Sequence, residues 1–341
     1  MLPVAGILVF VLAVLLAKAK VLLLIKFSDF FGLYDESDGH RKLHAAGISR
    51  LGGLGIYSAF LVTLLICVDL AAGDVAEILC SSAIICLVGL KDDLSGGLQP
   101  SEKLFFQIGI GLFCIRGGIA ITEENPFSEQ ICLLVIIVFS VNAFNLIDGI
   151  DGLAAALGVL VNVIFGCMFF ELQEMNWCLI CFAFAGSTAG FLRYNLFKAR
   201  IFMGDSGSML TGLVSIIAAI KLIWFCQAGM GHESVYCQSA APVICLAVLI
   251  VPVFDALRVF SARVIKLKSP FVGDRSHVHH QLQSLGLSDP LILLVLLIFN
   301  VVLIVISFIL QESGNLFVAM LLFLLCGIAQ CWLNRLKSKR G

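Results

Sequence analysis

The chain has 341 residues, a formal net charge of −1 and a mean hydropathy of +1.05, and it is 60% hydrophobic but only 13% charged. Soluble globular domains are roughly 45–50% apolar and about 25% charged, so this composition excludes a soluble enzyme, a nucleic-acid binder and a disordered chain. Apolar stretches long enough to cross a bilayer recur along the sequence, and they predict an all-α, polytopic integral membrane protein with about eleven transmembrane helices.

The predicted spans follow one another at short intervals along the whole chain. They are Leu2–Ile25, Gly52–Ala72, Val75–Leu90, Leu104–Ile121, Glu129–Ile147, Gly152–Leu172, Trp177–Phe197, Gly207–Gln227, Ala240–Phe260, Leu291–Leu310 and Leu316–Leu333. At about 20 residues each, these helices use roughly 220 residues. That leaves no room for a separate soluble domain, so we expect one membrane-embedded domain over residues 1–341.

The distribution of basic residues predicts the orientation of the spans. No positive charge precedes the first apolar run, whereas Lys18, Lys20 and Lys26 follow it, which is the reverse of a cleavable signal peptide. If alternate loops face the cytoplasm, all of the 22 lysines and arginines except Arg116 and Lys221 fall on that side, as the positive-inside rule expects. We therefore expect a periplasmic N-terminus and a cytoplasmic C-terminus.

Polar residues gather at the cytoplasmic ends of the predicted spans, and ionisable groups at membrane depth are candidates for a functional site. The first group is Asp92-Asp93 at the end of the third span, with Lys103 further on. Adjacent carboxylates repel each other, so keeping both ionised requires a cation, a nearby base or open water. A solvated loop that ends a helix explains the two acids equally well.

The second group follows the fifth span and contains Asn142, Asn145, Asp148 and Asp151. The first three are spaced by three residues, so they share one helical face if the helix continues that far. Their side-chain oxygens are the hard ligands that magnesium prefers. Turn and capping residues between two spans explain the acids, but they do not explain an asparagine pair inside an apolar helix.

The third group, Phe202–Ser208, opens the eighth span and contains Asp205 between small residues. An aspartate at this position is a common helix N-cap. A helix N-terminus flanked by glycines also suits a phosphate, and Asp205 could hold the metal that accompanies it. Both interpretations stay open at this point.

The fourth group lies in the longest cytoplasmic loop and consists of Arg275, His277, His279 and His280. Histidine runs often indicate a transition metal, but no cysteine is adjacent. Hydrogen bonding to a diphosphate, with Arg275 as a charge-assisted partner, is the better chemical use. A fifth group, the basic segment His40–His44 with Arg50 beyond it, is explained equally well by the positive-inside rule alone.

One membrane face therefore presents carboxylates, asparagines, glycine turns, histidines and basic residues. Phosphoryl transfer uses this set, because its catalysis consists mainly of positioning the phosphates and neutralising their charge with a metal. A soluble phosphorylated donor would approach from the cytoplasm, and a lipid acceptor would enter from the bilayer.

The motifs resemble those of one family in kind and in order. They are Asp92-Asp93 with Lys103, N-A-F-N-L-I-D-G-I-D-G-L-A at Asn142–Ala154, F-M-G-D-S-G-S at Phe202–Ser208 and R-S-H-V-H-H at Arg275–His280. This pattern resembles the polyprenyl-phosphate N-acetylhexosamine-1-phosphate transferases of glycosyltransferase family 4. The resemblance covers His40 to Gly286 and the layout of the spans.

The resemblance implies an activity and its location. Such an enzyme transfers a sugar 1-phosphate from a UDP-sugar to undecaprenyl phosphate and releases UMP, with Mg²⁺ or Mn²⁺ as cofactor. It implies a multi-pass protein of the bacterial cytoplasmic membrane, with its active site on the cytoplasmic face, that starts a cell-surface polysaccharide such as O-antigen. The implied partners are the UDP-sugar, undecaprenyl phosphate and membrane lipid, with no nucleic acid, and a homodimer is left open.

The spacing of the histidines bears on the donor. The form R-S-H-x-H-H resembles the WecA-type branch, which uses UDP-N-acetylglucosamine, whereas the phospho-MurNAc-pentapeptide branch has three consecutive histidines. Another UDP-N-acetyl sugar and UDP-MurNAc-pentapeptide remain alternatives. A lipid or solute transporter is the alternative outside this class, although transporters place ionisable groups near the midplane and in repeated halves.

The resemblance also implies roles for single residues. Asp205 and Asn145 are the implied metal ligands, and Lys103 is implied to face the lipid phosphate. The four residues implied to be catalytic are Asp92, Asp93, Asp148 and Asp151, with Asp92 or Asp93 as the base and the other two shaping the nucleotide or metal site. The residues implied to bind the donor diphosphate are Arg275, His277, His279 and His280. One departure from the family is that Ala45–Ser49 lacks the proline that often follows the first histidine motif.

Overall fold

The computed structural model of the protein describes residues 2–33, 47–69, 73–122, 126–229, 238–266 and 276–338. Regular structure in these ranges is helical, apart from a single isolated β-bridge. The twelve α-helices of the described ranges are α1 (Leu2–Phe31), α2 (Gly52–Cys67), α3 (Gly73–Ser95), α4 (Pro100–Arg116), α5 (Phe127–Ile147), α6 (Leu153–Glu171), α7 (Met175–Asn195), α8 (Gly204–Gln227), α9 (Ala241–Ile265), α10 (Val278–Ser284), α11 (Asp289–Ile309) and α12 (Asn315–Ser338).

Most of these helices have the length and composition of membrane spans. Eight helices within the described ranges are long and apolar enough to cross a bilayer, namely α1, α5 to α9, α11 and α12. Helices α2 and α4 are shorter, with 16 and 17 residues. The chain is therefore a polytopic, all-helical membrane protein. Each of the eleven predicted spans overlaps a helix, and eight of these helices have the length and composition of a span.

Helix α8 forms the centre of the protein. The apolar window of α8 is 94% buried inside the protein, whereas that of α12 is only 17% buried. Helices α2, α3, α5 and α6 pack around α8. The N-terminus of α8 lies against glycines of its neighbours, since a side chain at Gly53 or Gly89 would collide with the backbone at Ser206 and Gly207. These close approaches bring the chain segments of three helices together at one end of α8.

A short parallel bridge fixes the start of α8 beside the start of α2. Ser49 pairs with Ile201, and the Phe202 N–H donates to the Ser49 carbonyl at 2.8 Å. The Gly52 N–H in turn donates to the Phe202 carbonyl at 3.0 Å. Two helices that are far apart in sequence therefore begin side by side.

Several helix boundaries differ from the predicted spans by about a turn or more, among them those of α1, α3 and α8. Helix α1 continues to Phe31, beyond the predicted end at Ile25, and α8 begins at Gly204, one turn before the predicted Gly207. Helix α3 continues past Leu90 to Ser95, so the two adjacent acids lie on a helix and not in the expected loop. The reason is that an α-helix does not have to end where its apolar run ends, since polar contacts can support the further turns.

Candidate functional site

A polar cavity of about 320 Å³ lies at the end of the bundle where α8 begins. It is formed by the end of α3, the end of α5 with its connection to α6, the end of α7 with its connection to α8, the start of α8, and the residue two positions before α2. Its lining residues are Arg50, Asp93, Asn145, Asp148, Gly149, Ile150, Asp151, Asn195, Phe202, Met203, Gly204 and Asp205. Four aspartates that are up to 112 positions apart in the chain thus surround one cavity, together with one arginine.

Asp93 acts as the cap of helix α8, although it belongs to α3. Its carboxylate accepts hydrogen bonds from the Asp205 N–H at 2.9 Å, the Ser206 N–H at 3.1 Å and the Ser206 hydroxyl at 2.7 Å. The residue before α8, Met203, provides no side-chain cap of its own. The first N–H groups of a helix lack partners within the helix and attract negative charge, so Asp93 fixes the position of Asp205.

Lys103 on α4 lies between two carboxylates. Its Nζ is 2.8 Å from Asp92 Oδ1 and 2.6 Å from Asp205 Oδ2. Asp92 is buried and also accepts a hydrogen bond from the Leu98 N–H, which closes the turn after α3. The lysine therefore supplies positive charge to one of the two adjacent acids and to Asp205, while the start of α8 holds the other adjacent acid.

Asp92, Asp93 and Asp205 form an acidic triad that suits a divalent cation. Each of the three residues offers one carboxylate oxygen, and these oxygens lie within 4.8 Å of one another. Oxygen donors of this kind are those that Mg²⁺ and Mn²⁺ prefer. The donor set therefore fits the expected metal, with the Lys103 ammonium as the competing cation in the same cluster.

The asparagines of α5 separate into two environments. Asn145 lines the cavity and its Nδ2 donates to the Ser208 hydroxyl at 3.0 Å. Asn142 instead donates to Gln107 on α4 at 2.6 Å and is not part of the cavity wall. The helix ends at Ile147, and the backbone at Asp148 departs from helical values. The predicted common face of three residues therefore stops short of Asp148, which reaches the cavity from the following turn.

The acids between α5 and α6 have different surroundings. Burial, followed by the nearby charges of Asp205, Asp93 and Asp151, raises the pKa of Asp148 to about 7. Asp151 accepts a hydrogen bond from the Ala199 N–H at 3.0 Å. Asp151 thus holds the connection between α7 and α8 against the cavity, while Asp148 is only partly ionised at neutral pH.

The three histidines lie at the start of α10 and not in a free loop. His277 precedes the first residue of α10, and His279 and His280 belong to its first turn. His279 is 1% exposed, and neither of its ring nitrogens has a hydrogen-bond partner within the described part of the chain. A side chain at Gly149 would collide with Nε2 of His279, so this ring lies directly behind the cavity wall.

The environment of His279 keeps the ring neutral. Burial, together with the charge of His280, lowers the pKa of His279 to about 4. Arg275 and the basic segment His40–His44 lie outside the described residues. The predicted donor-binding group is therefore placed beside the cavity through its histidines alone.

One buried acid near these histidines was not among the site residues predicted from the sequence. Asp255 lies on α9, is 3% exposed and accepts a hydrogen bond from His277 Nδ1 at 2.7 Å. The available signal was an aspartate inside an otherwise apolar span, a pattern that indicates a functional position in membrane proteins. Arg50, for which the positive-inside rule was an equally good explanation, lines the cavity.

Comparison with known proteins places the chain among sugar-phosphate transferases. A family model described as glycosyl transferase family 4 matches residues 75–223. The chain is 30% identical over 285 residues to a decaprenyl-phosphate N-acetylglucosaminephosphotransferase of Mycobacterium leprae, which covers 75% of this chain and 71% of the relative.

Two further relatives differ in their named substrates. A probable undecaprenyl-phosphate N-acetylglucosaminyl 1-phosphate transferase of Bacillus subtilis is 28% identical over 289 residues, covering 82% of this chain and 77% of the relative. A phospho-N-acetylmuramoyl-pentapeptide-transferase of Clostridium perfringens is 29% identical over 321 residues, covering 88% of this chain and 95% of the relative. Both matches extend beyond the region of the family model, over most of the helical bundle.

Proposed function

The chain belongs to the glycosyl transferase family 4 enzymes that transfer N-acetylhexosamine 1-phosphate to a polyprenyl phosphate, and from that premise we propose its substrates. The donor is UDP-N-acetylglucosamine and the acceptor is undecaprenyl phosphate. The products are UMP and the lipid-linked diphosphate sugar that starts a cell-surface polysaccharide. The observation that carries this proposal is the cavity at the start of α8, which collects four aspartates beside an arginine and the histidine-bearing helix.

We propose that the cavity opens to the cytoplasm. The basic residues of the sequence favour eleven spans with the N-terminus outside, and this arrangement puts the end of α3 and the start of α8 on the cytoplasmic side. A nucleotide sugar can then enter from water while the polyprenyl chain stays in the bilayer. The protein would reside in the cytoplasmic membrane of a bacterium.

We propose that the acidic triad, with Asn145 at its edge, binds Mg²⁺ or Mn²⁺. Asp205 is the leading ligand because it lies in the cavity wall and in the triad at once, whereas both carboxylate oxygens of Asp93, which does so too, already accept hydrogen bonds from the start of α8. When bound, the metal supplies positive charge for the oxygens of the donor diphosphate. The test is Mn²⁺ binding followed by electron paramagnetic resonance, which should be lost in Asp205→Asn and kept in Asp29→Asn, an exposed aspartate at the end of α1.

Residues around the cavity would bind the phosphates and adjust the charge that the phosphates meet during the transfer. The lipid phosphate, ionised at neutral pH, attacks the β-phosphorus of the donor. The bond from that phosphorus to the bridging oxygen breaks, and the oxygen leaves with the α-phosphate as UMP. Arg50 supplies a positive charge at the cavity wall for the incoming phosphates. The raised pKa of Asp148 reduces the negative charge that these phosphates meet. No covalent aspartyl intermediate is needed, since the lipid phosphate is itself an ionised nucleophile at neutral pH.

UDP-MurNAc-pentapeptide is the second candidate donor. It is favoured by the relative from Clostridium perfringens, which matches almost the full length of both chains. The separated histidines of His277-Val278-His279-His280 favour UDP-N-acetylglucosamine instead. Parallel reactions with each donor decide between the two.

The experiment is UMP release by purified protein in detergent, with undecaprenyl phosphate, Mg²⁺ and each UDP-sugar in turn. We expect turnover with UDP-N-acetylglucosamine that is lost in Asp205→Asn and retained in Asp29→Asn. Turnover with another donor alone would overturn the proposed sugar and keep the reaction. Well-folded protein that releases no UMP from any donor would overturn the proposed function.

A further inference from the structure

The buried carboxylate of Asp255, which lies outside the cavity wall, has three hydrogen-bond partners. Its Oδ2 contacts His277 Nδ1 at 2.7 Å, and its Oδ1 accepts hydrogen bonds from the Val278 N–H at 3.0 Å and Arg258 Nη2 at 2.7 Å. Asp255 and His277 are 3% and 4% exposed. Because a buried carboxylate is costly without partners, an aspartate held in this way within a membrane protein indicates a specific task.

Arg258 extends the same contact to the chain just before α10. Its Nη2 also donates to the Ser276 carbonyl at 2.6 Å. Helix α9 therefore holds three consecutive residues, Ser276, His277 and Val278, by side-chain bonds alone. The start of α10 is fixed to α9 at the point where His277 precedes it.

The His277 ring connects Asp255 with the cavity. His277 is stacked on His279, with ring centroids 5.9 Å apart and ring planes inclined by 6°. His279 in turn lies against Gly149, which lines the cavity. A displacement of the His277 ring would therefore move the ring that borders the cavity.

We infer that Asp255 is a positioning residue for donor binding, which acts by fixing the orientation and tautomer of His277. A carboxylate at Nδ1 holds the proton on that nitrogen and leaves Nε2 as the ring nitrogen that can meet a ligand. The inference rests on the proposed function, in which the histidines bind the donor diphosphate. It assigns a role in substrate binding to an acid on a membrane helix that touches neither the cavity nor the acidic triad.

The substitution Asp255→Asn tests this inference with little change of volume. The asparagine oxygen can still accept from Arg258 and Val278, while its NH₂ group faces Nδ1 of His277 and requires an unprotonated nitrogen there. The proton then moves to Nε2. We expect the KM for UDP-N-acetylglucosamine to rise about tenfold to 100-fold, while the KM for undecaprenyl phosphate stays within about twofold.

Two further variants separate positioning from general stability. Asn300→Ala removes a buried side chain that donates from α11 to the Ala247 carbonyl of α9 at 3.0 Å; we expect it to lower the Tm without changing the donor KM. His277→Gln should raise the donor KM as Asp255→Asn does. The double variant should be no worse than His277→Gln alone, because Asp255 acts through His277.

The tautomer itself is measured by ¹⁵N NMR of protein labelled in its six histidines, with the His277 signals identified by their loss in His277→Gln. A shift of the proton from Nδ1 to Nε2 in Asp255→Asn supports the inference. An unchanged tautomer, additive effects in the double variant, or an equal rise of the donor KM in Asn300→Ala would overturn it. If the wild-type protein releases no UMP, the proposed function fails, and the NMR comparison still decides whether Asp255 sets the His277 tautomer.

Discussion

Replacing Asp93 by asparagine should loosen the start of α8. The aspartate accepts three hydrogen bonds there, two from backbone N–H groups and one from the Ser206 hydroxyl. An asparagine offers a single acceptor oxygen. Its NH₂ group can donate to the Ser206 hydroxyl oxygen, but it cannot accept a hydrogen bond from the Ser206 N–H. One backbone donor at the buried helix terminus therefore loses its partner.

The magnitude follows from these contacts. A hydrogen bond to a charged group contributes about 1.5–3 kcal/mol, and a negative charge at a helix N-terminus adds about 0.3–1 kcal/mol. We therefore expect Asp93→Asn to cost roughly 2–4 kcal/mol, or a Tm loss on the order of 5 °C. Turnover should fall about 100-fold because Asp205, which directly precedes Ser206 in the first turn of α8, is misplaced.

The assay pairs thermal unfolding in detergent with UMP release. Ser206→Ala is the milder control, because it removes only the hydroxyl among the three groups that donate to Asp93. It should lower the free energy of unfolding by about 1 kcal/mol, with most of the turnover retained. A fully stable Asp93→Asn protein without turnover would refute this reasoning. It would show that Asp93 is needed as a base, the role that the sequence resemblance left open between Asp92 and Asp93.

Three further predictions concern the surroundings of the cavity. Lys103→Met should lower the Tm in the absence of divalent metal, because two carboxylates lose their cation, and Mg²⁺ should restore it; an equal Mg²⁺ response in the wild type would contradict this. Gly149→Ala places a methyl group against His279, so the KM for the UDP-sugar should rise, and an unchanged KM would show that the ring is not part of donor binding. The lowered pKa of His279, about 4 against 6.5, implies a stability contribution that is present above pH 6.5 and lost towards pH 4, amounting to about 3 kcal/mol. The Tm difference between wild type and His279→Gln should therefore shrink as the pH falls through this window, and a pH-independent difference would refute the neutral buried ring.

The class of the protein and the positions of its helices could be predicted from local sequence. Apolar runs of sufficient length have few alternatives to helices in a membrane, since every backbone polar group must be satisfied within the segment. The acids and asparagines between the spans stood out because polar groups are costly there. Of these, Asp148, Asp151, Asp205 and Asn145 do line a single cavity, while their chemical roles stay predictions.

The partners of these side chains could not be predicted in the same way. Helices that are apolar on all sides carry no periodic signal for the face that packs inward. The sequence placed Asn142 with Asn145, but the packing of α4 against α5 directs Asn142 to Gln107. Likewise, a solvated loop was one of two open explanations of Asp93 from sequence, whereas the approach of α3 to α8 makes it a helix cap.

By itself, the sequence determined a helical membrane protein with its polar residues in a few short motifs and a family resemblance that the relatives confirm. Only the tertiary structure decided that Lys103 lies between Asp92 and Asp205, and that Asp255 holds His277. The physical reason is that hydrogen bonds and ion pairs require atoms within about 3 Å. Which side chains come that close is set by the way whole helices pack, and not by the neighbours of each residue along the chain.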